Sequence, residues 1–301
     1  MEQIAQQVIN WLALSSIYAL LAIGFSLLFG VINVIQFSHG DVGLTAPFVA
    51  MATFAGLGAL APEVGFVVAL LVAILAIGVL GVVLERLLIR RFRTAPPMMA
   101  LVATVALGIV LRELIRILYP DGSNPHPFPQ LVTGNALTIG EASLSWLVVT
   151  MMGVTVLLVA ALTFLLYRTQ LGVRIRAVSQ DLEMARMLAI DPNRIFQVTF
   201  FIASVTGAVA GLFYASYVGL MRFDLGIIAG LLGFSAAVIG GLGNMTGAII
   251  GSVVLAGLDT LVQAAFPDGA AYRLAVAFFL VVMVLVFRPA GLLGKPVIEK
   301  V

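Results

Sequence analysis

The stretch Leu225–Leu258, LGIIAGLLGFSAAVIGGLGNMTGAIIGSVVLAGL, contains no Asp, Glu, Lys or Arg. As one straight α-helix it would be about 51 Å long, which exceeds a single crossing of the roughly 30 Å hydrocarbon core of a bilayer. Glycines are dense in its middle, from Gly240 to Gly247, and glycine destabilises the interior of a helix. The stretch therefore predicts two membrane helices separated by a break.

The composition of the whole chain also indicates a membrane protein. Of its 301 residues, 62% are hydrophobic and 10% are charged, whereas soluble domains carry roughly 25% charged residues. The net charge of +2 argues against a nucleic-acid partner, and the absence of cysteine excludes disulfides and thiolate metal sites. The N-terminus lacks the basic region of a cleaved signal peptide, so the first apolar run is expected to be a retained span.

Further apolar runs predict further spans. Lipid offers the backbone no hydrogen-bond partners, and the alternation typical of a β-barrel is absent, so the spans are expected to be α-helical. The predicted spans lie near 8–31, 42–60, 64–88, 97–118, 143–167, 195–218, 226–241, 247–266 and 270–287. The sequence thus predicts an all-α polytopic membrane protein. It would be a bundle of about eight to nine transmembrane segments, with two interrupted helices, forming a single domain over 1–301.

Basic residues predict the orientation of the bundle. The positive-inside rule places clusters of Arg and Lys on the cytoplasmic side. Three such clusters occur: Arg86, Arg90, Arg91 and Arg93; Arg168, Arg174, Arg176, Arg186 and Arg194; and Arg288, Lys295 and Lys300. The N-terminus and the Pro- and Gly-rich loop at about 119–142 are then extracytoplasmic, and the C-terminus is cytoplasmic.

The end of the first apolar run contains a second predicted interruption. Polar residues gather there around Gly40, and polar groups at membrane depth need partners or a water-filled cavity. Two interrupted segments in opposite halves of a chain are typical of a midplane transport pathway, but dense glycines equally favour close helix packing. Both interpretations stay open for the glycine-dense stretch Gly240–Gly247, which we call the glycine segment. The candidate pathway residues are Asn33, Gln36, Phe37, Ser38, His39, Gly40, Asp41, Gly240, Gly241, Gly243, Asn244 and Gly247.

Isolated charges within the spans predict structural roles. Asp259 is expected to be paired or solvated near the outer interface, and Arg112, which shares a helix face with Arg116, is expected to extend to the outer surface. His39 without a carboxylate cluster or cysteine is not a metal site. No nucleophile–base or paired-carboxylate spacing occurs, so the sequence predicts no metal, no cofactor and no enzymatic reaction of its own.

One polar segment, Thr169–Arg194, TQLGVRIRAVSQDLEMARMLAIDPNR, interrupts the apolar sequence. It carries an apolar stripe at helical spacing: Leu171, Ile175, Val178, Leu182, Ala185 and Ala189. Ser179 is a candidate N-cap, and Pro192 lies beyond the predicted end of the helix. The pattern predicts a short amphipathic helix on the cytoplasmic face, in a loop at about 168–194. Such a helix either rests on lipid headgroups or docks onto a cytoplasmic protein.

Four motifs together resemble branched-chain amino acid ABC transporter permeases of the LivH type. They are Gly30–Asp41, Leu171–Ala177 with Asp181–Ile190, Ala236–Gly251 and Phe287–Val301, and they cover nearly the whole chain in the order of that family. Two departures are visible. Ala189 stands where the family usually has glycine, and Ser38 stands where alanine is common.

The resemblance implies a permease subunit of an ABC importer in the bacterial inner membrane. Its partners would be a second, LivM-like permease, two ABC ATPase subunits, a periplasmic amino acid-binding protein and membrane lipid, while the chain itself would bind no ATP. The cargo would be leucine, isoleucine or valine; amides, urea or another small polar solute is the narrower alternative. From the residues alone, a stand-alone secondary carrier or channel also stays open. The candidate ATPase-coupling residues are Arg174, Arg176, Val178, Asp181, Leu182, Met184, Ala185, Leu188 and Ala189.

Overall fold

The computed structural model describes residues 2–57, 62–92, 96–139, 142–266 and 268–294. Arg93, Lys295 and Lys300 of the predicted basic clusters lie outside the described residues. The helices are α1 (Glu2–Ile32), α2 (His39–Leu44), α3 (Ala46–Leu57), α4 (Pro62–Leu84), a π-helix (Glu85–Ile89), α5 (Arg90–Phe92), α6 (Pro97–Leu118), α7 (Trp146–Arg168), α8 (Gln170–Gln180), α9 (Leu182–Met187), α10 (Pro192–Val218), α11 (Leu225–Gly240), α12 (Met245–Ala265) and α13 (Gly269–Phe287).

Eight helical stretches in these ranges are long and apolar enough to cross a membrane, and the shorter α11 adds a ninth apolar helix. Two of the eight are composite: α2 with α3 forms one, and α4 with the π-helix and α5 forms another. The predicted all-α polytopic fold with about eight to nine spans is confirmed. Both predicted interruptions are present, at 33–38 and at 241–244.

The loop at 119–142 departs from the expected purely helical fold, because it contains short β-strands. A short strand, His126–Pro127, pairs antiparallel with Leu220–Met221 at the end of α10. A second antiparallel pair joins Asn135–Ile139 to Ala142–Ser145. Because Phe128 is buried between helices, this loop is attached to the helical bundle rather than fully solvated.

The centre of the bundle consists of α1, α10 and α11. Much of α1 is buried on all sides, including Ile17, Leu20 and Ile23, and a helix that is apolar all round lies inside a larger protein. In contrast, α7 and α13 are largely exposed along their apolar length. Exposed apolar helices of this length are expected to face lipid or another membrane subunit.

One apolar cluster gathers the ends of several helices on the same face of the bundle. It contains Leu27 of α1, Ile89 of the π-helix, Ile175 of α8 and Ile195 of α10. The chain after α13 reaches this face too, because the amide of Leu293 donates to the carbonyl of Gly240 at 3.0 Å. The described members of the three basic clusters therefore share one face, which we call the basic face, as the alternation of the predicted spans requires.

Candidate functional site

The first break follows the end of α1 at Ile32. Asn33 adopts a left-handed conformation with φ of 56°, which turns the chain out of the helix. Thr104 of α6 then contacts the extended segment: its hydroxyl accepts from the amide of Phe37 at 3.3 Å. The same hydroxyl donates to the carbonyl of Leu101 in its own helix at 2.8 Å and lies 3.3 Å from the carbonyl of Ile35. The break is thus bonded to a neighbouring span, which satisfies backbone groups that lipid would leave unpaired.

His39 opens α2 and is wedged between two other helices. Its ring lies against Gly24 of α1 and Gly207 of α10, where a side chain at either glycine would collide with it. Phe25 packs edge-on, with 4.9 Å between ring centroids. The Nε2 atom is buried and has no hydrogen-bond partner among the described residues. His39 therefore lies at the junction of α1, α2 and α10.

Asp41 extends from α2 to α6. Its carboxylate is 5% exposed and fits between the bare α-carbons of Gly108 and Gly226. The Nε atom of Arg112 lies 3.5 Å from Oδ1 of Asp41. The expectation that Arg112 reaches only the outer surface is therefore wrong, because the packing of α6 beside α2 brings the guanidinium to a buried acid.

The second break lies between α11 and α12. Gly241 and Gly243 have φ of 107° and 84°, a region that favours glycine. Asn244 caps α12 by accepting from the amide of Gly247 at 3.1 Å. Gly240 and Gly247 touch backbone to backbone. These contacts favour the packing interpretation for the glycine segment.

Only some residues of the two breaks lie close to each other. Gly30 at the end of α1 lies against the α-carbon of Gly243, and Asn33, Gly243 and Asn244 line one shared cavity of about 560 Å³. We call it the α1–α8 cavity, since Arg176 of α8 forms part of its wall. The remaining candidates of the first break form a separate group at the start of α2, while Gly240, Gly241 and Gly247 of the second break do not line this cavity. That group contains Gln36, Phe37, Ser38, His39, Gly40 and Asp41, of which all but the partly buried Phe37 are buried.

The polar segment forms two helices instead of the single helix predicted. Thr169 caps α8 by accepting from the amide of Gly172 at 3.2 Å. Asp181 caps α9 by accepting from the amides of Glu183 and Met184 at 2.9 and 3.0 Å. The prediction that Ser179 is the N-cap is wrong, because α8 starts earlier and includes it.

The apolar stripe of the segment divides between the inside and the outside. Ile175, Val178 and Ala185 are buried against the ends of α1, α7 and α10, so Val178 and Ala185 attach the segment to the rest of the chain. The exposed apolar side chains follow another line. Met187 is 81% exposed and Leu188 is 72% exposed, and Leu182 and Met184 lie beside them on α9. We call Leu182, Met184, Met187 and Leu188 the α9 patch.

Ala189 ends α9 in a left-handed conformation with φ of 56°. This conformation costs an L-residue with a β-carbon roughly 1–2 kcal/mol, and glycine adopts it freely. The geometry explains why glycine is the usual residue of the resembling family at this position. Among the remaining coupling candidates, Arg174 and Asp181 are exposed, while Arg176 is partly buried.

Asp259 lies inside the bundle in a dense network. Its carboxylate accepts from the Tyr18 hydroxyl at 2.5 Å, from Gln263 Nε2 at 2.8 Å and from Arg273 Nε at 2.8 Å. The expected structural pairing is confirmed. The partners Tyr18 and Arg273 escaped sequence reasoning, as did Thr104 and Arg112 at the first break, because none belongs to a local motif. Within the described ranges no three His, Cys, Asp or Glu residues form a group that could hold a metal ion.

Comparisons with known proteins agree with the arrangement. Residues 7–287 match the family model described as branched-chain amino acid transport system / permease component. The chain is 33% identical to the high-affinity branched-chain amino acid transport system permease protein BraD of Pseudomonas aeruginosa, over 98% of this chain and 97% of that protein. It is also 33% identical to LivH of Escherichia coli K12, with the same two coverages.

Among solved structures, the chain resembles PsaBC from Streptococcus pneumoniae in complex with Fab, with a TM-score of 0.46 and 13% identity over 92% of this chain and 90% of that one. That likeness is distant, whereas the sequence relatives and the family model match nearly the whole chain. The nearly complete coverage means that the four motifs belong to one continuous relationship. The chain therefore belongs to the family of permease components of branched-chain amino acid transport systems.

Proposed function

We propose that the chain is the transmembrane permease subunit of an ABC importer that carries leucine, isoleucine and valine across the bacterial inner membrane. The observation that carries this proposal is the similarity to BraD and LivH over nearly the whole chain. The spans and the family match are consistent with it. The chain contributes the pathway, and partner ATPases supply the energy for alternating access.

Three kinds of partner complete the importer. They are a second, LivM-like permease, two ABC ATPase subunits and a periplasmic amino acid-binding protein. The N-terminus lies outside and the C-terminus inside, so the basic face is cytoplasmic. The α9 patch supports ATPase docking at this face, because exposed apolar side chains in a polar segment are typical of an interface. Arg174 and Asp181 flank it, and closure of the ATPases moves the segment as a rigid body.

The start of α2 forms the substrate pathway. Three buried polar atoms there lack hydrogen-bond partners within the described residues: Gln36 Oε1, His39 Nε2 and Asp41 Oδ1. A buried unpaired polar atom costs about 1–3 kcal/mol. A second conformation, in which substrate or water reaches these atoms, removes that cost. The polar residues around His39 therefore change their contacts during transport. The glycine segment Gly240–Gly247 stays packed.

Reconstitution tests the function and the cargo together. The permease pair and its ATPases are placed in proteoliposomes, and uptake of radiolabelled leucine is measured with the binding protein and ATP. We expect ATP-dependent uptake that unlabelled isoleucine and valine inhibit and that urea and acetamide do not. Inhibition by urea in place of valine would redirect the cargo to small polar solutes. Gradient-driven uptake by the chain alone, without ATP, would identify a secondary carrier.

The docking claim has its own matched pair of variants. Leu188→Asp places a charge in the exposed α9 patch, and we expect the ATPase subunits to be lost on copurification while the chain stays inserted and folded. Glu183→Gln, on the exposed side of the same helix, is the control that is expected to keep them. Ala185→Asp is unsuitable because Ala185 is buried within the chain. Full copurification with Leu188→Asp would show that the ATPases dock elsewhere.

A further inference from the structure

The α1–α8 cavity has features that transport alone does not explain. Its volume of about 560 Å³ falls within the range of small-molecule sites. The wall comes from four places: the end of α1, the end of α7, one side of α8, and the break between α11 and α12. Its lining combines apolar groups, such as Leu27 and Leu242, with polar ones, such as Gln180 and Asn244. The cavity is therefore suited to an amphipathic ligand.

The charge of the cavity wall favours an anionic ligand. Among the described residues, Arg176 is the one charged residue in the wall, and none of the wall residues is a carboxylate. The guanidinium carbon lies 5.4 Å from the centroid of the Tyr167 ring, and the Nη1 atom is buried without a hydrogen-bond partner in the described part of the chain. A partly buried arginine that stacks on an aromatic ring and has no described acid beside it still has donors for an anionic group.

Two further groups on the wall suit the same ligand. The hydroxyl of Ser26, a residue that is 1% exposed, also lacks a partner among the described residues. The N-terminus of α12, at Asn244 and Met245, forms another side, and a helix N-terminus favours negative charge. A phosphate group offers acceptor oxygens for the Arg176 guanidinium and for the Ser26 hydroxyl, beside a helix N-terminus that favours negative charge.

The depth of the cavity favours a lipid as the source of the phosphate. Tyr167 is 64% exposed and ends the span Trp146–Arg168, so it lies where hydrocarbon gives way to headgroups. Phe164, one turn earlier, is exposed as well and faces the acyl region. Basic pockets between spans at this depth suit anionic headgroups.

We propose that the α1–α8 cavity binds the headgroup of an anionic phospholipid, with its phosphate on Arg176. A bound headgroup would contact α8 and the break before α12 at once. It would thereby fix the position of the polar segment relative to the transmembrane helices. The proposal is independent of the cargo, because it rests on the membrane fold and the wall of the cavity alone.

Native mass spectrometry of the full-length chain, purified with its copurifying subunits, tests the proposal. The protein is placed in nanodiscs of phosphatidylcholine with and without phosphatidylglycerol, and retained phosphatidylglycerol is counted. We expect Arg176→Gln to weaken retention of one lipid roughly tenfold, the value expected for loss of a charge-assisted hydrogen bond. Arg168→Gln removes the same charge from an exposed residue outside the cavity wall and is expected to retain that lipid.

A second variant and a soluble competitor complete the test. Ser179→Phe fills the cavity from an exposed wall position without changing its charge, and it decides the question if Arg176→Gln does not fold. We expect it to lose the same lipid. Retention by both variants, or equal loss with Arg168→Gln, would overturn the site. Displacement of the lipid by millimolar glycerol 1-phosphate would show that the cavity takes a free anion, and would overturn the lipid assignment.

Discussion

Two buried aspartates pair with arginines in this bundle, and their surroundings differ sharply. Asp259 accepts hydrogen bonds from Tyr18, Gln263 and Arg273, all within 2.8 Å. Asp41 has Arg112 at 3.5 Å, and its Oδ1 atom has no hydrogen bond within the described residues. A buried charge is stable when its lone pairs are satisfied. The comparison indicates that the Asp259 network fixes the fold, whereas Asp41 belongs to a part of the molecule that changes state.

The largest expected effect comes from breaking the saturated network. Asp259→Ala leaves the Arg273 guanidinium without its counter-charge, and removal of one partner of a buried pair costs about 3–5 kcal/mol. We expect a strong fall in the amount of folded chain in the membrane and in its thermal stability in detergent. The double variant Asp259→Leu with Arg273→Met removes both charges and is expected to recover most of that stability. Normal stability of Asp259→Ala would show that the Asp259 network does not stabilise the fold.

His39→Ala is expected to have the next largest effect on stability, with a larger one on transport. The vacated volume between Gly24 and Gly207 costs about 2 kcal/mol, although loss of the unpaired Nε2 atom offsets part of this. We expect leucine uptake to fall several-fold while the permease and ATPase subunits still copurify. Unchanged uptake in this variant would assign His39 to helix packing alone.

Asp41→Asn sharpens the comparison because it keeps the shape of the side chain and removes its charge. Arg112 is 16% exposed, so water partly compensates the lost partner and the stability cost is expected to stay near 1–2 kcal/mol. Uptake of radiolabelled leucine is expected to fall well beyond what that cost explains. Asp259→Asn is the matched control, expected to lower stability more and the uptake per folded molecule less. A larger loss of uptake per folded molecule in Asp259→Asn than in Asp41→Asn would contradict a transport role for Asp41.

The sequence predicted much of this contrast, but only where the signal is local. The glycine-dense break at Gly240–Gly247 was predictable from span length and glycine content. For Asp259 the sequence left pairing and solvation open, and the structure shows pairing. Its partner Arg273 was not predictable, because the packing of α13 against α12 determines which residues meet. The same reason explains the wrong expectation for Arg112, which only the position of α6 beside α2 brings to Asp41.

The polar segment shows how local signals compete. Ser179 and Asp181 are both good N-cap residues, and the choice between them depends on where the preceding helix begins. Because Thr169 starts α8, Ser179 falls in its last turn, where its hydroxyl donates to the carbonyl of Arg176 at 2.9 Å. Periodicity identified three buried members of the stripe, Ile175, Val178 and Ala185, but it also included the exposed Leu182 and Ala189. It could not show that Val178 and Ala185 pack against the chain itself while the α9 patch stays exposed.

The smallest expected effect tests how the break before α2 is held. Thr104→Val removes the hydroxyl that accepts from the amide of Phe37 and keeps the shape of the side chain. This long hydrogen bond at 3.3 Å is expected to contribute about 1 kcal/mol or less, so stability in detergent should fall slightly. If the start of α2 changes state during transport, a looser break alters uptake more than stability. Thr53→Val is the control, because within the described residues its hydroxyl bonds the carbonyl of Val49 in its own helix and no residue of the break. Equal uptake in the two variants would show that the break is a rigid part of the bundle, like the Asp259 network.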